Sequence, residues 1–196
     1  MTEAYRNAFA GVNSFRTFSG FDIAGRSVAA LPDTNLAFVG APDGKHEVIA
    51  NLFIELGLPE KRLTVRRYVN SREELKQQLC EVDMVIMPSR AEGFGLTGLQ
   101  ALSAGLLVTV SKNSGFGEAL GKITFCSGFV VDTDHPSSWE ASIKVIWNKD
   151  KKTRLDEAKL LRNYYGEDLT IFCAKHQPNL PLFCAPTQGK TILLIP

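Results

Sequence analysis

The sequence predicts an α/β protein: one doubly wound, Rossmann-like domain on a single parallel sheet, over roughly residues 20–150. Three observations carry that expectation. Strand-like segments alternate with helix-like segments of about 10–14 residues, the pattern of βαβ units. The strands are short and apolar without polar alternation, as in a sheet covered on both faces. Apolar residues make up 44% of the 196-residue chain, enough for a sizeable core.

The elements follow in order. "GFDIAGRSVAAL" (20–31) spaces its apolar residues as a helix does. "NLAFVG" (35–40) is a short buried strand, and "KHEVIANLFIELGL" (45–58) an amphipathic helix ending near Gly57. "RLTVRRYV" (62–69) reads as a strand. "SREELKQQLCEV" (71–82) opens with Ser71 and has Glu74 three residues on, a capping box. "DMVIMP" (83–88) is a buried strand, followed by a glycine turn and a helix starting near Gly95. "LLVTVS" (106–111) and "ITFCSGFVVD" (123–132) are strands around the short "GFGEALG" segment. "SSWEASIKVIWNKD" and "KKTRLDEAKLLRNYY" close as helices, with Trp139 and Trp147 in their packing.

Both ends depart from this pattern. The first helix has no good strand before it: "AFAGV" (8–12) is short and poor in β-branched residues. In the common doubly wound order the first strand is central, so its loss leaves a slot with unpaired backbone groups. After about Glu167 the composition changes, with four prolines and no helical period. The preferred reading there is a flexible tail. The alternative is that "KTILLI" (190–195), the most strand-like segment without a partner, fills or extends the sheet. The expected division is an ill-defined 1–17, a domain over 18–166 and an atypical tail over 167–196.

With 22 basic and 21 acidic residues the net charge is +1, which gives no footprint for nucleic acid or an anionic membrane. No apolar run approaches the ~18 residues that span a bilayer. The N-terminus lacks the basic and apolar regions of a signal peptide, so a cytoplasmic setting is expected. Cys80, Cys126, Cys173 and Cys184 show no metal-ligand spacing. Cys80 and Cys126 read as buried free thiols, and Cys173 and Cys184 could pair only in an oxidising compartment.

Chemistry concentrates in "PSRAEGFGLTGLQALSAG" (88–105), at a strand's C-terminal end, where doubly wound sheets bind ligands. Gly93 and Gly95 permit a tight turn and close backbone approach. The N–H groups around Gly95, Leu96 and Thr97 begin a helix and suit a phosphate. Glu92 beside them suits sugar hydroxyls, which a carboxylate takes in charge-assisted hydrogen bonds. Gln100 stands eight residues past Glu92, on the helix face of Thr97 and Ala104. Leu96, Leu99 and Leu102 are expected to point mostly to the core. The alternative is a strand-to-helix turn with Glu92 as a solvated or capping residue. Elsewhere, "PDG" before Lys45 reads as a turn, Lys112 as a surface residue, and Glu118 as an acceptor closing its loop.

"PSRAEGFGLTGLQALSAGLLVTVSKNSGFGEAL", with "GFDIAGRSVAAL", "LAFVGAPDG" and "RRYVNSREELKQQLCEVDMVIMPS", resembles the donor-binding C-terminal domain of retaining GT-B glycosyltransferases of family 4. The likeness covers about residues 18–165 and is most specific around P-S-x-x-E-G-F-G-L. It implies a Rossmann-like half of a GT-B fold that binds a nucleotide diphosphate sugar without a metal or other cofactor. It implies that Glu92 is the catalytic-site carboxylate holding sugar hydroxyls. Phe94, Gly95, Leu96 and Thr97 would line the sugar and diphosphate, Gln100 the ribose, and Tyr68 and Val69 the base.

Three departures from the family pattern bear on activity. A second Glu is Gln100 here. A hydrogen bond to a charged group contributes about 1.5–3 kcal/mol and a neutral one about 0.5–1.5 kcal/mol, so ribose binding should weaken roughly tenfold. The family's lysine before the first helix reads Ser19, and Arg16 is the nearby candidate for a diphosphate cation. The family also has an N-terminal acceptor-binding domain, so a further domain or partner chain is expected. The resemblance thus implies a donor-binding glycosyltransferase domain, weakly active alone, or a degenerate binding and interaction module derived from one.

Overall fold

The computed structural model describes residues 20–69, 71–90, 94–164 and 190–195. Arg16, Ser19, Glu92, Gly93 and the 8–12 segment lie outside these residues. Six strands form one sheet in the order β2-β1-β6-β3-β4-β5, every pair parallel. They are β1 (Asn35–Ala41), β2 (Leu63–Arg67), β3 (Met84–Met87), β4 (Leu107–Ser111), β5 (Val130–Val131) and β6 (Thr191–Leu194). The helices are α1 (Phe21–Ala29), α2 (His46–Glu55), α3 (Arg72–Cys80), α4 (Leu96–Ser103), α5 (Gly115–Gly121), α6 (Pro136–Trp147) and α7 (Lys151–Tyr164). This is the expected Rossmann-like architecture, that of the C-terminal half of a GT-B fold.

All of β3 and β4, and all but the first residue of β1, are buried, which requires cover on both faces. Helix α1 packs against α2 and α6, and α4 against α5 and α7. Three aromatic rings join α1, β1 and α2: the Phe21 centroid lies 4.9 Å from that of Phe38, edge-on, and 5.6 Å from that of Phe53. Arg62 ends α1 by donating to the carbonyls of Ala29 at 3.3 Å and Thr34 at 3.1 Å, among others. Ser71 caps α3 as its sequence predicts, accepting from the Glu74 N–H at 3.1 Å. Trp139 is buried with Ile23 and Val131, and the Trp147 indole donates to Thr34 Oγ1 at 3.2 Å.

The central slot is filled from the far end of the chain. Strand β6 lies between β1 and β3, with Ile192 opposite Leu36 on one side and Met84 on the other. This corrects the preference for a flexible tail at residues 190–195. The reason is energetic. An empty slot strands two rows of backbone hydrogen-bonding groups, and Ile192, Leu193 and Leu194 become fully buried on filling it. Asp83 fixes the register: its carboxylate accepts from the Thr191 N–H at 2.8 Å, and its own N–H donates to the Thr191 carbonyl at 2.9 Å.

Two other expectations change. The strand expected over 123–132 is mostly a 3-10 helix, Thr124–Phe129, with only two residues of strand after it. Its period of three turns Cys126 and Phe129 inward together. Burial, seconded by nearby Glu157, pushes the free Cys126 thiol up to about 12. Cys80, expected as a buried free thiol, is half-buried at the end of α3 and disulfide-bonded. No helix of the described residues is long and apolar enough to cross a membrane.

Candidate functional site at the carboxyl edge of the sheet

The strand order diverges about β6: β1 leads outward to β2, and β3 leads the opposite way to β4 and β5. That is a topological switch point, and open α/β sheets bind ligands at the carboxyl ends of their strands beside such a point. The connections after β1, β2, β3, β4 and β5 all meet this edge. Strand β6 also runs toward it, so Ile195 emerges beside the ends of β1 and β3.

The β3–α4 connection is the centre of the site. Helix α4 opens at Gly95, whose φ of 87° is left-handed, a conformation that glycine adopts without a Cβ penalty. Among the described residues, no side chain caps this end. The first N–H groups of α4 have no intrahelical partners and carry the positive end of its dipole. Phe94 and Leu96 flank Gly95 and are exposed to 49% and 48%, while Thr97 and Gln100 are half-buried. The expectation that Leu96 faces mostly inward is therefore wrong. Leu99 and Leu102 do face the core, whereas Leu96 is the first residue of the helix, at its open end.

Phe94 is held from behind. Its carbonyl accepts from the Phe116 N–H at 2.6 Å, and the two rings lie 6.5 Å apart. Phe116 packs against Gly98 so closely that a Cβ there would lie 2.4 Å from its ring. The loop before α5 is closed by Ser114, whose Oγ accepts from the Gly117 N–H and donates to the Ser111 carbonyl, each at 2.9 Å. Glu118, read as the closing acceptor, instead is exposed and faces Lys122 at 3.5 Å. Lys112 pairs at the surface with Asp132 at 2.5 Å, and the Lys45 N–H closes the expected turn on the Pro42 carbonyl at 3.0 Å.

The upstream side of the connection is held by Arg90. Its Nη1 and Nη2 donate to the two oxygens of Asp22, each at 2.9 Å, and its Nε donates to Asp134 at 2.8 Å. Burial alone would raise the Asp22 carboxyl, but the Arg90 pair outweighs it and holds the group below its ordinary 3.8. The Arg90 charge is stabilised in turn, first by Asp22, against its own partial burial. None of the three was singled out by its local sequence. Their sequence separations of 68 and 44 leave no local signal.

The expected site residues therefore do not form one cluster. Phe94, Gly95, Leu96, Thr97 and Gln100 share the start of α4. Tyr68 and Val69 follow β2, three inter-strand steps away, or about 14 Å at ~4.8 Å per step. Both are half-buried, and the Tyr68 N–H donates to the Ala41 carbonyl at 3.1 Å. The two groups face the same edge across the switch point. Glu92 and Arg16 fall outside the described residues.

Comparison with known proteins agrees with this architecture. The family model described as family 4 glycosyltransferase in conflict systems matches residues 16–171. The match includes β1 to β5 and excludes β6. D-inositol 3-phosphate glycosyltransferase of Paenarthrobacter aurescens is 30% identical over 129 residues, 65% of this chain and 30% of that protein. The enzyme of the same name from Corynebacterium efficiens is 29% identical over 168 residues, 78% of this chain and 38% of that protein. That of Mycobacterium ulcerans is 31% identical over 126 residues, 62% of this chain and 26% of that protein. The chain thus spans about a third of the length of the curated relatives it matches.

Proposed function

This chain belongs to the family 4 glycosyltransferases in conflict systems, and on that footing we propose that it binds a nucleotide diphosphate sugar donor for retaining glycosyl transfer. The observation that carries the reading is the N-terminus of α4, opening at left-handed Gly95 beside the switch point and capped by no side chain of the described residues. The diphosphate lies against the amides of Gly95, Leu96 and Thr97, where the helix dipole and N–H groups favour negative charge. Glu92 takes the sugar hydroxyls and orients the anomeric carbon. Gln100, on the next turn of α4, takes the ribose diol, accepting one hydroxyl and donating to another. Tyr68 and Val69 receive the base, and the sheet width between them and α4 suits a ligand laid across the carboxyl edge of the sheet. Phe94 and Leu96 supply apolar surface at the sugar end, and Arg16 supplies a cation.

Transfer needs charge stabilisation on the leaving diphosphate, which this proposal assigns to the α4 amides and basic side chains rather than to a metal. The acceptor enters at that edge, where a further domain or chain closes the site and excludes water. A cytoplasmic location is part of the same proposal. A Cys80 disulfide persisting in protein isolated under thiol-blocking conditions would argue instead for an oxidising compartment.

Gln100 favours a second reading, a binding module without turnover, because a neutral amide holds the ribose less firmly than a carboxylate. Calorimetric titration with UDP-glucose, GDP-mannose and ADP-glucose, followed by an assay for release of the nucleoside diphosphate, separates the two. Saturable binding with release supports the transferase. Binding without release supports the module, and no binding at millimolar donor refutes the transferase and leaves a degenerate interaction module.

A further inference from the structure

Arg90 makes a fork-to-carboxylate pair with Asp22 and spends its remaining Nε on Asp134. Asp22 lies in the first turn of α1, and Asp134 lies between β5 and α6. One guanidinium therefore ties three chain segments together at the carboxyl edge of the sheet. The Asp22 arm is the better shielded, with 34% of its side chain exposed against 53% for Asp134. On the other side of residues 91–93, Phe94 is fixed by the Phe116 N–H. The chain is thus anchored at Arg90 and again at Phe94, on either side of residues 91–93.

We propose that Arg90 is a positioning residue for the donor site: with Asp22 and Asp134 it sets where the chain leaving β3 stands relative to the start of α4. This rests on the nucleotide-sugar reading above. Arg90 is not a phosphate ligand in this role. Its Nε, Nη1 and Nη2 already face carboxylates, and two acidic groups around one cation leave surplus negative charge, which repels a diphosphate. A bidentate Arg–carboxylate pair fixes angle as well as distance, and a lysine, a point charge on a flexible stem, does not replace it. Misplacing a binding group by about an ångström is enough to lose much of its contribution.

The test uses the full chain and two readouts. The first is the affinity for whichever of UDP-glucose, GDP-mannose and ADP-glucose the wild type binds most tightly. The second is amide hydrogen exchange in the absence of ligand. Arg90→Gln should weaken that affinity roughly tenfold or more, and Arg90→Lys nearly as much. Exchange should quicken at Gly98 and Phe116, whose N–H groups donate to the Gly95 and Phe94 carbonyls, while β3, β4 and α6 keep their protection. Asp134→Asn, which removes only the more exposed arm, should show the same pattern more weakly and guards against an Arg90 variant that does not fold. Unchanged affinity in the Arg90 variants, or a loss of protection spread evenly over the sheet, overturns the proposal. If the wild type binds none of the three donors, the donor reading fails separately, and exchange at Gly98 and Phe116 alone decides the clamp: no local change there overturns it.

Discussion

At Gln100, the difference between an amide and a carboxylate is measurable. In the proposed site the side chain takes the ribose diol, and a charged acceptor binds a hydroxyl more strongly than a neutral one by about 1 kcal/mol or somewhat more. Gln100→Glu should therefore tighten donor binding by about an order of magnitude. An unchanged dissociation constant in a calorimetric titration would place Gln100 away from the ribose. Asp22 supplies a pH signature. Its carboxyl is held below 3.8 in the fold, so its pairing with Arg90 stabilises the protein fully above that value. That contribution is lost as pH falls through 3.8 and below. Asp150, bonded to Thr153 at the start of α7, is shifted in the same direction, so acid denaturation of the wild type alone does not isolate Asp22. Denaturation curves of wild type and Asp22→Asn should differ at pH 6 and converge as the pH drops below about 4. A constant gap across that range would mean the pair does not act through charge.

Among the elements, β6 carries the largest consequence. Leu193 is fully buried between β1 and β3. Truncation there removes transfer free energy and leaves a cavity at the centre of the sheet, so Leu193→Ala should cost about 2–5 kcal/mol in chemical denaturation. A loss under about 0.5 kcal/mol, the size typical of surface substitutions, would show that the strand does not occupy the slot in solution. The sequence made β1, α2, α3, β3, α4 and β4 legible because each combines an apolar run or helical spacing with a clear punctuating residue. It made the empty slot legible as well, since α1 has no good strand before it. What filled the slot was harder to read. "KTILLI" has strand character but lies after a proline-rich stretch, and only the pairing energy on two sides selects it over solvent. The segment over 123–132 misled for a related reason: its apolar residues suit a strand, but their spacing at Cys126 and Phe129 suits a three-residue turn equally well.

Over the whole molecule, the family match and the sheet do not coincide. The matched residues, 16–171, include five of the six strands, and the central strand comes from outside them. At the carboxyl edge, β6 nonetheless holds the ends of β1 and β3 apart by one strand width, and the α4 N-terminus stands beside the switch point. Turn chemistry was legible in the sequence: Gly95 at a helix start follows from the spacing of "GFGLTGLQALSAG". The Arg90–Asp22–Asp134 clamp was not, since ion pairs across 44 and 68 residues depend on a topology that must be known first. The central claim is that a nucleotide sugar lies across the carboxyl edge of the sheet above β6, and amide chemical-shift mapping with UDP-glucose, GDP-mannose and ADP-glucose tests it most directly. The account predicts saturable shifts for at least one donor, largest at Gly95, Leu96 and Thr97 and extending to Tyr68 and Val69. Shifts confined to the opposite edge of the sheet, or none at millimolar donor, would contradict it.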